Sequence, residues 1–221
     1  FNAPLQGGFS LYEPEELTAY EAGLKHAFMH GSGVFNANVF YYDYSDYQSF
    51  SWVNNAGVVT NEEASFSGVE LEVFLTPADS VDVMVNFSYT DAVVEDLEVA
   101  SGYFADTTPP FTPEFQASAM LRYNWDAFNG NMAAQLSASY QSETFHNARN
   151  FTAHEIDSYA TADTRLTWVD GQDKWSLAAY VDNLFDSDHE LIGFDVTGFY
   201  GTSQISYAKP RTYGVTVRRN F

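Results

Sequence analysis

The residues best able to hold a metal or move a proton are five histidines, His26, His30, His146, His154 and His189. No two of them stand at an HExxH, HxH or other ligand spacing, so no metal site and no resident cofactor is expected. Cysteine is absent, which removes thiolate nucleophiles, zinc-cysteine sites and disulfide scaffolds. Asp186, Ser187, Asp188 and Glu190 form an acidic run of the kind that binds calcium, but they lack the glycine turn of an EF loop and are expected in a strand after Asn183-Leu184-Phe185. Glu70 and Glu72 have the composition of a glycosidase pair. Two apart on one strand, however, they are neighbours on a single surface, and a wet wall explains them better. Serine and aspartate are plentiful, yet no Gly-x-Ser-x-Gly elbow and no phosphate-binding glycine loop occurs. Asn86-Phe87-Ser88 and Asn150-Phe151-Thr152 match glycosylation acceptors, and the first falls in the middle of a strand. The sequence therefore reads as that of a protein that is not an enzyme, with no catalytic residues. What remains is recognition chemistry: His146, Arg149 and His154 beside Phe145 and Phe151, and Tyr103 with Phe104, offer cations and rings to an anionic ligand or a ferric chelate. A merely solvated loop is the competing reading of the histidine cluster.

The elements that position these groups follow from the charge and the apolar pattern. Nine Lys and Arg against thirty Asp and Glu leave a net charge of −21, which excludes nucleic acid as a partner because a polyanion needs a basic footprint. The longest uninterrupted apolar run, Leu177 to Val181, is far short of the roughly 18 residues that a membrane helix needs. Yet aromatic residues make up 17% of the chain, more than a soluble core of this size uses. Strict alternation resolves the contradiction. Val81, Val83, Val85, Phe87 and Tyr89 alternate with Asp82, Met84, Asn86, Ser88 and Thr90, and the same period of two recurs over 20–28, 35–42, 67–76, 116–123, 132–141, 159–168, 175–182 and 212–221. These nine strands, of about 10 to 15 residues, suit a tilted crossing of a bilayer better than a soluble sandwich, whose strands cluster near five or six.

The connections alternate between short and long. Met29–Gly33, Thr76–Ser80, Asp126–Gly130 and Val169–Asp173 are tight and rich in turn residues. Ser45–Glu62, Ala92–Pro113, Phe145–Ile156 and Leu191–Lys209 are expected as long loops. Bacterial outer-membrane barrels have this asymmetry, with short periplasmic turns and long extracellular loops. Rings gather at strand ends, as at Phe40, Tyr41, Tyr42, Trp125, Trp168 and Trp175, where membrane interfaces favour them. The acid excess is spread along the chain, which fits a hydrated lumen and loops better than one ion site.

Several stretches resemble TonB-dependent outer-membrane receptors, in the C-terminal part of their barrel. They are Pro14-Glu15-Glu16-Leu17 with Tyr20-Glu21-Ala22-Gly23-Leu24-Lys25, Phe40-Tyr41-Tyr42-Asp43-Tyr44, Gly68-Val69-Glu70-Leu71-Glu72, Phe87-Ser88-Tyr89-Thr90-Asp91-Ala92, Val181-Asp182-Asn183-Leu184-Phe185-Asp186, and Lys209-Pro210-Arg211-Thr212-Tyr213-Gly214 onward to Phe221. The resemblance implies an all-β, transmembrane antiparallel barrel of about 22 strands, of which residues 1–221 supply the last nine, with the plug domain, the TonB-engaging segment and the earlier strands absent. It implies an outer-membrane location and energy-coupled uptake of a scarce ligand, first a ferric siderophore, with carbohydrate or cobalamin uptake, or a passive porin or adhesion barrel, as alternatives. It also implies the TonB complex, the outer-membrane assembly machinery, lipid and lipopolysaccharide as partners. Tyr213, Val215, Val217 and Phe221 match the C-terminal assembly signal. Arg219 departs from its apolar face, at a cost of only about 0–1 kcal/mol near the periplasmic interface. The ligand-side contacts implied in the long loops are Tyr103, Phe104, His146, Arg149 and Phe151.

Overall fold

The computed structural model describes residues 11–53, 56–195 and 201–221. Its strands are β1 (Glu16–Phe28), β2 (Gly33–Val53), β3 (Ala56–Ala78), β4 (Val81–Ala100), β5 (Tyr103–Thr107), β6 (Phe115–Ala127), β7 (Gly130–Gln141), β8 (Thr144–Phe145), β9 (Glu155–Ile156), β10 (Tyr159–Asp170), β11 (Trp175–Asp182), β12 (Glu190–Asp195), β13 (Ser203–Tyr207) and β14 (Thr212–Arg219). Nine of them, β1-β2-β3-β4-β6-β7-β10-β11-β14, run antiparallel as a meander in a single sheet. Each corresponds to one of the nine alternating segments. Among the described residues no helix is long and apolar enough to cross a membrane.

The register sorts the side chains by face. Leu24, Val39, Val85, Leu121, Leu136, Leu166, Leu177 and Val215 all lie on one face and stay exposed. In water that face would be costly, but facing hydrocarbon it is the surface a barrel requires. The other face carries a polar row across seven strands, in which Lys25, Asn36, Glu72, Asn86, Ser118, Ser139 and Thr161 are successive cross-strand partners. Side chains link along this row: Asn36 Nδ2 donates to Glu72 Oε2 at 3.0 Å, Asn86 Nδ2 to Ser118 Oγ at 3.1 Å, and the Ser139 and Thr161 hydroxyls meet at 2.8 Å. This wet face is the lumen wall, where Glu70 and Glu72 were expected.

The short turns are built as their residues dictate. Phe128 and Asn129 both take positive φ, 54° and 53°, which closes a two-residue hairpin whose twist matches the flanking strands. Asp170 Oδ1 accepts the backbone N–H of Gln172 and of Lys174 in the β10–β11 turn. Within the sheet, Gly68 leaves room for the Phe40 ring, and a Cβ there would lie 2.2 Å from the Tyr89 carbonyl oxygen. A side chain at 68 would push β3 and β4 apart, so the glycine in Gly68-Val69-Glu70 is a packing requirement.

The long connections differ from expectation. Ser45–Glu62 is mostly not a loop: β2 and β3 pair on to Val53 and Ala56, and 54–55 lie outside the described residues. At roughly 3.3 Å per residue the 21 residues of β2 reach roughly 70 Å, about 50 Å along the membrane normal if tilted near 45°, so the hairpin stands well clear of a hydrocarbon core of about 30 Å. Two bulges explain why the period of two breaks there. Tyr44 pairs with Ala64 and Tyr47 with Glu62, so Ser45 and Asp46 face a single residue, and Asp46 has φ +59°. The same device recurs at Glu95 and Asp96, between Val94–Thr107 and Leu97–Ala105, with Asp96 at φ +50°. Each bulge inverts the parity of its strand: Tyr44 and Val94 face inward before it, Tyr47 and Leu97 after it. The other expected loops also contain hairpins: β4 with β5, β8 with β9, and β12 with β13.

Candidate functional site

Beyond the membrane the inner faces of these hairpins become apolar and pack on one another. Ala64, Val94, Leu97, Val99 and Ala148 are buried together, with Tyr44, Tyr47, Phe66 and Ala105 against them. Tyr44 meets Phe66 at 5.3 Å and Tyr47 edge-on at 5.6 Å between ring centroids. Residues from β2, β3, β4, β5 and the β7–β10 connection thus form a second small core, which draws the long connections into a cap. Burial holds the Tyr47 hydroxyl above its ordinary value, with the Glu15 carboxylate and the Tyr44 phenol adding to the effect.

Polar ties complete the cap. Asn150 accepts from Thr108 N at 2.6 Å and donates to Thr108 O at 2.8 Å, a two-point clamp between the β5–β6 and β7–β10 connections. His146 is the other tie. Its Nδ1 accepts the Gly193 backbone N–H at 2.8 Å, so the ring proton belongs on Nε2, which lies 3.2 Å from Glu190 Oε2. Phe111 N donates to Phe145 O at 3.0 Å, and the Phe111 ring sits edge-on to His146. Three connections therefore meet at one imidazole.

Of the expected ligand contacts, Tyr103 and Phe104 stand at the β4–β5 tip, 65% and 57% exposed. Arg149 and Phe151 lie on the β7–β10 connection, half-buried, and Arg149 Nε is buried without a partner. Ala148 and the Asn150 clamp bring that connection against the β4–β5 hairpin. His146 takes a different role from the one expected: its side chain is 1% exposed and both ring nitrogens are engaged, so it ties loops together instead of meeting a ligand. His154 is buried too, with its Nδ1 against Asn147 Nδ2. The clamp roles of Asn150, Gly193 and Glu190 escaped sequence reasoning, which met Asn150 only in a glycosylation match and Glu190 only in an acidic run.

Of the acidic run, Asp186, Ser187 and Asp188 lie in an irregular turn and only Glu190 is in a strand, as the first residue of β12. Asn183 (φ +52°) is buried, donates its backbone N–H to Asp163 Oδ1 at 2.8 Å, and closes the turn through Ser187 N and O. Asp186 accepts from Arg211 N and Glu190 serves His146, so these carboxylates point to different partners. Below the cap, Glu70, Glu72, Asn86, Ser88, Gln116 and Tyr159 line a concavity of about 390 Å³ on the inner wall.

At the C-terminal end Tyr213, Val215 and Val217 project from the outer face, 82%, 78% and 62% exposed. The Arg219 guanidinium lies 5.2 Å from the Trp175 ring and 4.9 Å from that of Phe221. Its charge on the apolar face is accommodated between two rings.

An antiparallel meander with an apolar outer face, a wet inner face and a folded cap defines a membrane β-barrel of the outer-membrane type, present here as part of a barrel with β1 and β14 as its edges. The sequence model of the TonB-dependent receptor-like β-barrel matches residues 1–184, and the chain belongs to that family of outer-membrane transport receptors. Its fold is similar to that of the ferric yersiniabactin uptake receptor FyuA from Yersinia pestis, with a TM-score of 0.76 and 22% identity over 94% of this chain and 30% of that one. The ferric preacinetobactin receptor BauA from Acinetobacter baumannii gives 0.71 and 20% over 93% and 30%. The ferripyoverdine receptor of Pseudomonas aeruginosa gives 0.69 and 20% over 96% and 28%. The chain spans about 30% of the length of the solved receptors it matches.

Proposed function

We propose that the chain is the C-terminal part of the barrel of an outer-membrane receptor that takes up a ferric siderophore, energised through TonB, with the plug and TonB-engaging segment lying outside these residues. The observation that carries this reading is the cap: long hairpins drawn together by their own core and presenting Tyr103 and Phe104 to the outside, on a barrel of this family. The solved receptors named for ferric siderophores support the ligand class. Tyr103, Phe104, Arg149 and Phe151 are the contacts in this reading, rings and a guanidinium suited to an aromatic or anionic iron chelate. Tyr213, Val215, Val217 and Phe221 present the assembly machinery with its recognition strand, and the outer face meets lipid and lipopolysaccharide. A carbohydrate ligand is the second reading, favoured by the amides and hydroxyls of the concavity around Asn86, Ser88 and Gln116.

The test is uptake and binding of labelled ferric siderophores by cells carrying the receptor. Replacing Tyr103 and Phe104 together by Ala is expected to weaken binding about tenfold, as for two aromatic anchors worth roughly 1 kcal/mol or less each. Unchanged binding removes these contacts. No TonB-dependent uptake of any ferric siderophore overturns the ligand class.

A further inference from the structure

Two of the five histidines are buried in the cap, His146 with its side chain 1% exposed and His154 at 4%. They stand opposite each other: the β8–β9 ladder pairs Phe145 with Glu155, and one step on His146 N donates to His154 O at 2.8 Å. Each imidazole accepts a hydrogen bond at Nδ1. For His146 the donor is the Gly193 backbone N–H at 2.8 Å. For His154 it is Asn147 Nδ2, and the orientation of that amide is fixed because Asn147 Oδ1 accepts the Arg149 N–H at 3.0 Å. A ring nitrogen that accepts carries no proton, so the closed cap holds both imidazoles neutral.

The groups packed around the rings leave this assignment in place. From β12, Glu190 Oε2 meets His146 Nε2 at 3.2 Å, and from β13 the Tyr207 hydroxyl donates to the other Glu190 oxygen at 3.4 Å. The β5–β6 connection presents the Phe111 ring, 5.9 Å from that of His146, and the Phe151 ring lies 6.2 Å from that of His154. Among the described residues no other carboxylate comes within ion-pair distance of either imidazole. Glu190 attracts an imidazolium, but the Nε2 proton that faces it is already present in the neutral ring. A second proton has one place to go, Nδ1, and there it meets the Gly193 N–H head on. The backbone cannot slide aside within the closed cap, because it is so close to the ring that a Cβ at Gly193 would lie 2.7 Å from His146 Cδ2.

We propose that His146 and His154 form an acid-released latch on the cap, in which a proton taken up at Nδ1 of each ring expels the N–H donor held there. At His146 the expelled group is Gly193, which frees the β12–β13 hairpin from the β7–β10 connection. At His154 it is the Asn147 amide, which loosens the turn whose Asn150 clamps Thr108. The sign follows from the neutral rings: the closed cap is stabilised in full above the range in which an imidazole takes its proton, about pH 8 to 5, and loses that stability as pH falls through it. Glu190 stays with the imidazolium through charge, so the hairpin turns about Glu190 and opens from Gly193 outward. The part of the cap packed around Val94 and Leu97 rests on apolar contact and holds.

The test is hydrogen exchange of the full receptor in its folded form at about pH 7.5 and about pH 5.5, with the intrinsic pH dependence of exchange divided out. Amides of β12 and β13 are expected to open about tenfold more often at the lower pH, relative to those of β10 and β11. His146→Gln and His154→Gln keep an amide oxygen for the N–H donor but take no proton, and together they are expected to abolish the response. Glu190→Gln removes the charge that favours the imidazolium and is expected to move the response to lower pH. A response that persists in the double Gln variant overturns the proposal, and so does one that vanishes in Glu190→Gln, which makes the carboxylate the sensor. Electrophoretic mobility of unheated samples reports the folded barrel. If the double variant fails to fold, the unaltered receptor carries the test: acid opening confined to 147–150 and β12–β13 supports the latch, and opening spread evenly over the sheet overturns it. No ligand enters this assay, so its failure leaves the uptake reading standing, and the reverse also holds.

Discussion

At the scale of single residues, Glu62 shows what the cap does to a charge. Burial pushes its carboxyl above the ordinary value; Thr60 opposes this by hydrogen bonding, and Asp96 adds to the rise. The folded state therefore holds the Glu62 proton to higher pH than the unfolded chain does. The stability this contributes is full below the ordinary carboxylate value and is lost as pH rises through the raised one. Protection factors for amides of 47–50 and 60–62 are expected to decline across that window, and Glu62→Gln to flatten the decline; an unaltered slope in the variant contradicts the assignment. That Tyr103 and Phe104 stand exposed in a long connection was legible in the sequence. The role of His146 was not. Its partners Gly193 and Glu190 lie 47 and 44 residues away, and burial set by such distant contacts leaves no local mark.

At the scale of elements, each membrane strand was legible because one face meets lipid and the other water, and that contrast writes a period of two into the chain. The hairpins beyond the membrane were not. Both faces of β2 and β4 there carry rings, carboxylates and small residues, and the bulges at Asp46 and Asp96 shift the phase just where the strands leave the bilayer. A strand whose parity inverts reads as a loop. The ties between these elements make a testable unit. His146→Ala leaves the Gly193 N–H and the Glu190 carboxylate without their imidazole, at a cost of about 1–3 kcal/mol. Hydrogen exchange in β12 and β13 is expected to speed up roughly fivefold to a hundredfold, with β10 and β11 unaffected. Acceleration spread evenly over the sheet means that His146 supports the whole fold and not the tie.

At the scale of the whole molecule, the net charge of −21 divides unevenly: carboxylates crowd the cap side, whereas Arg122, Arg165, Lys174, Arg218 and Arg219 gather towards the short turns. The outer face ends in an aromatic and cationic corner, Trp175, Arg219 and Phe221. Phe221→Ala removes both the terminal ring and one of the two rings holding that guanidinium. The amount of folded, heat-modifiable protein in the outer membrane is expected to drop several-fold, while Phe221→Trp stays near normal. Equal yields of the Ala variant argue against an assembly role. The paired bulges also bear on how the sheet absorbs changes in chain length. Each holds one residue more than the strand opposite, so deleting a residue at 45–46 or 95–96 straightens the strand while Tyr47 keeps Glu62, and Leu97 keeps Ala105, as its partner. Both faces of each hairpin tip and every lipid-facing residue then hold their places, and what changes is the bend of the strand. The tilt of the cap is thereby adjustable without turning any side chain to the wrong side of the wall.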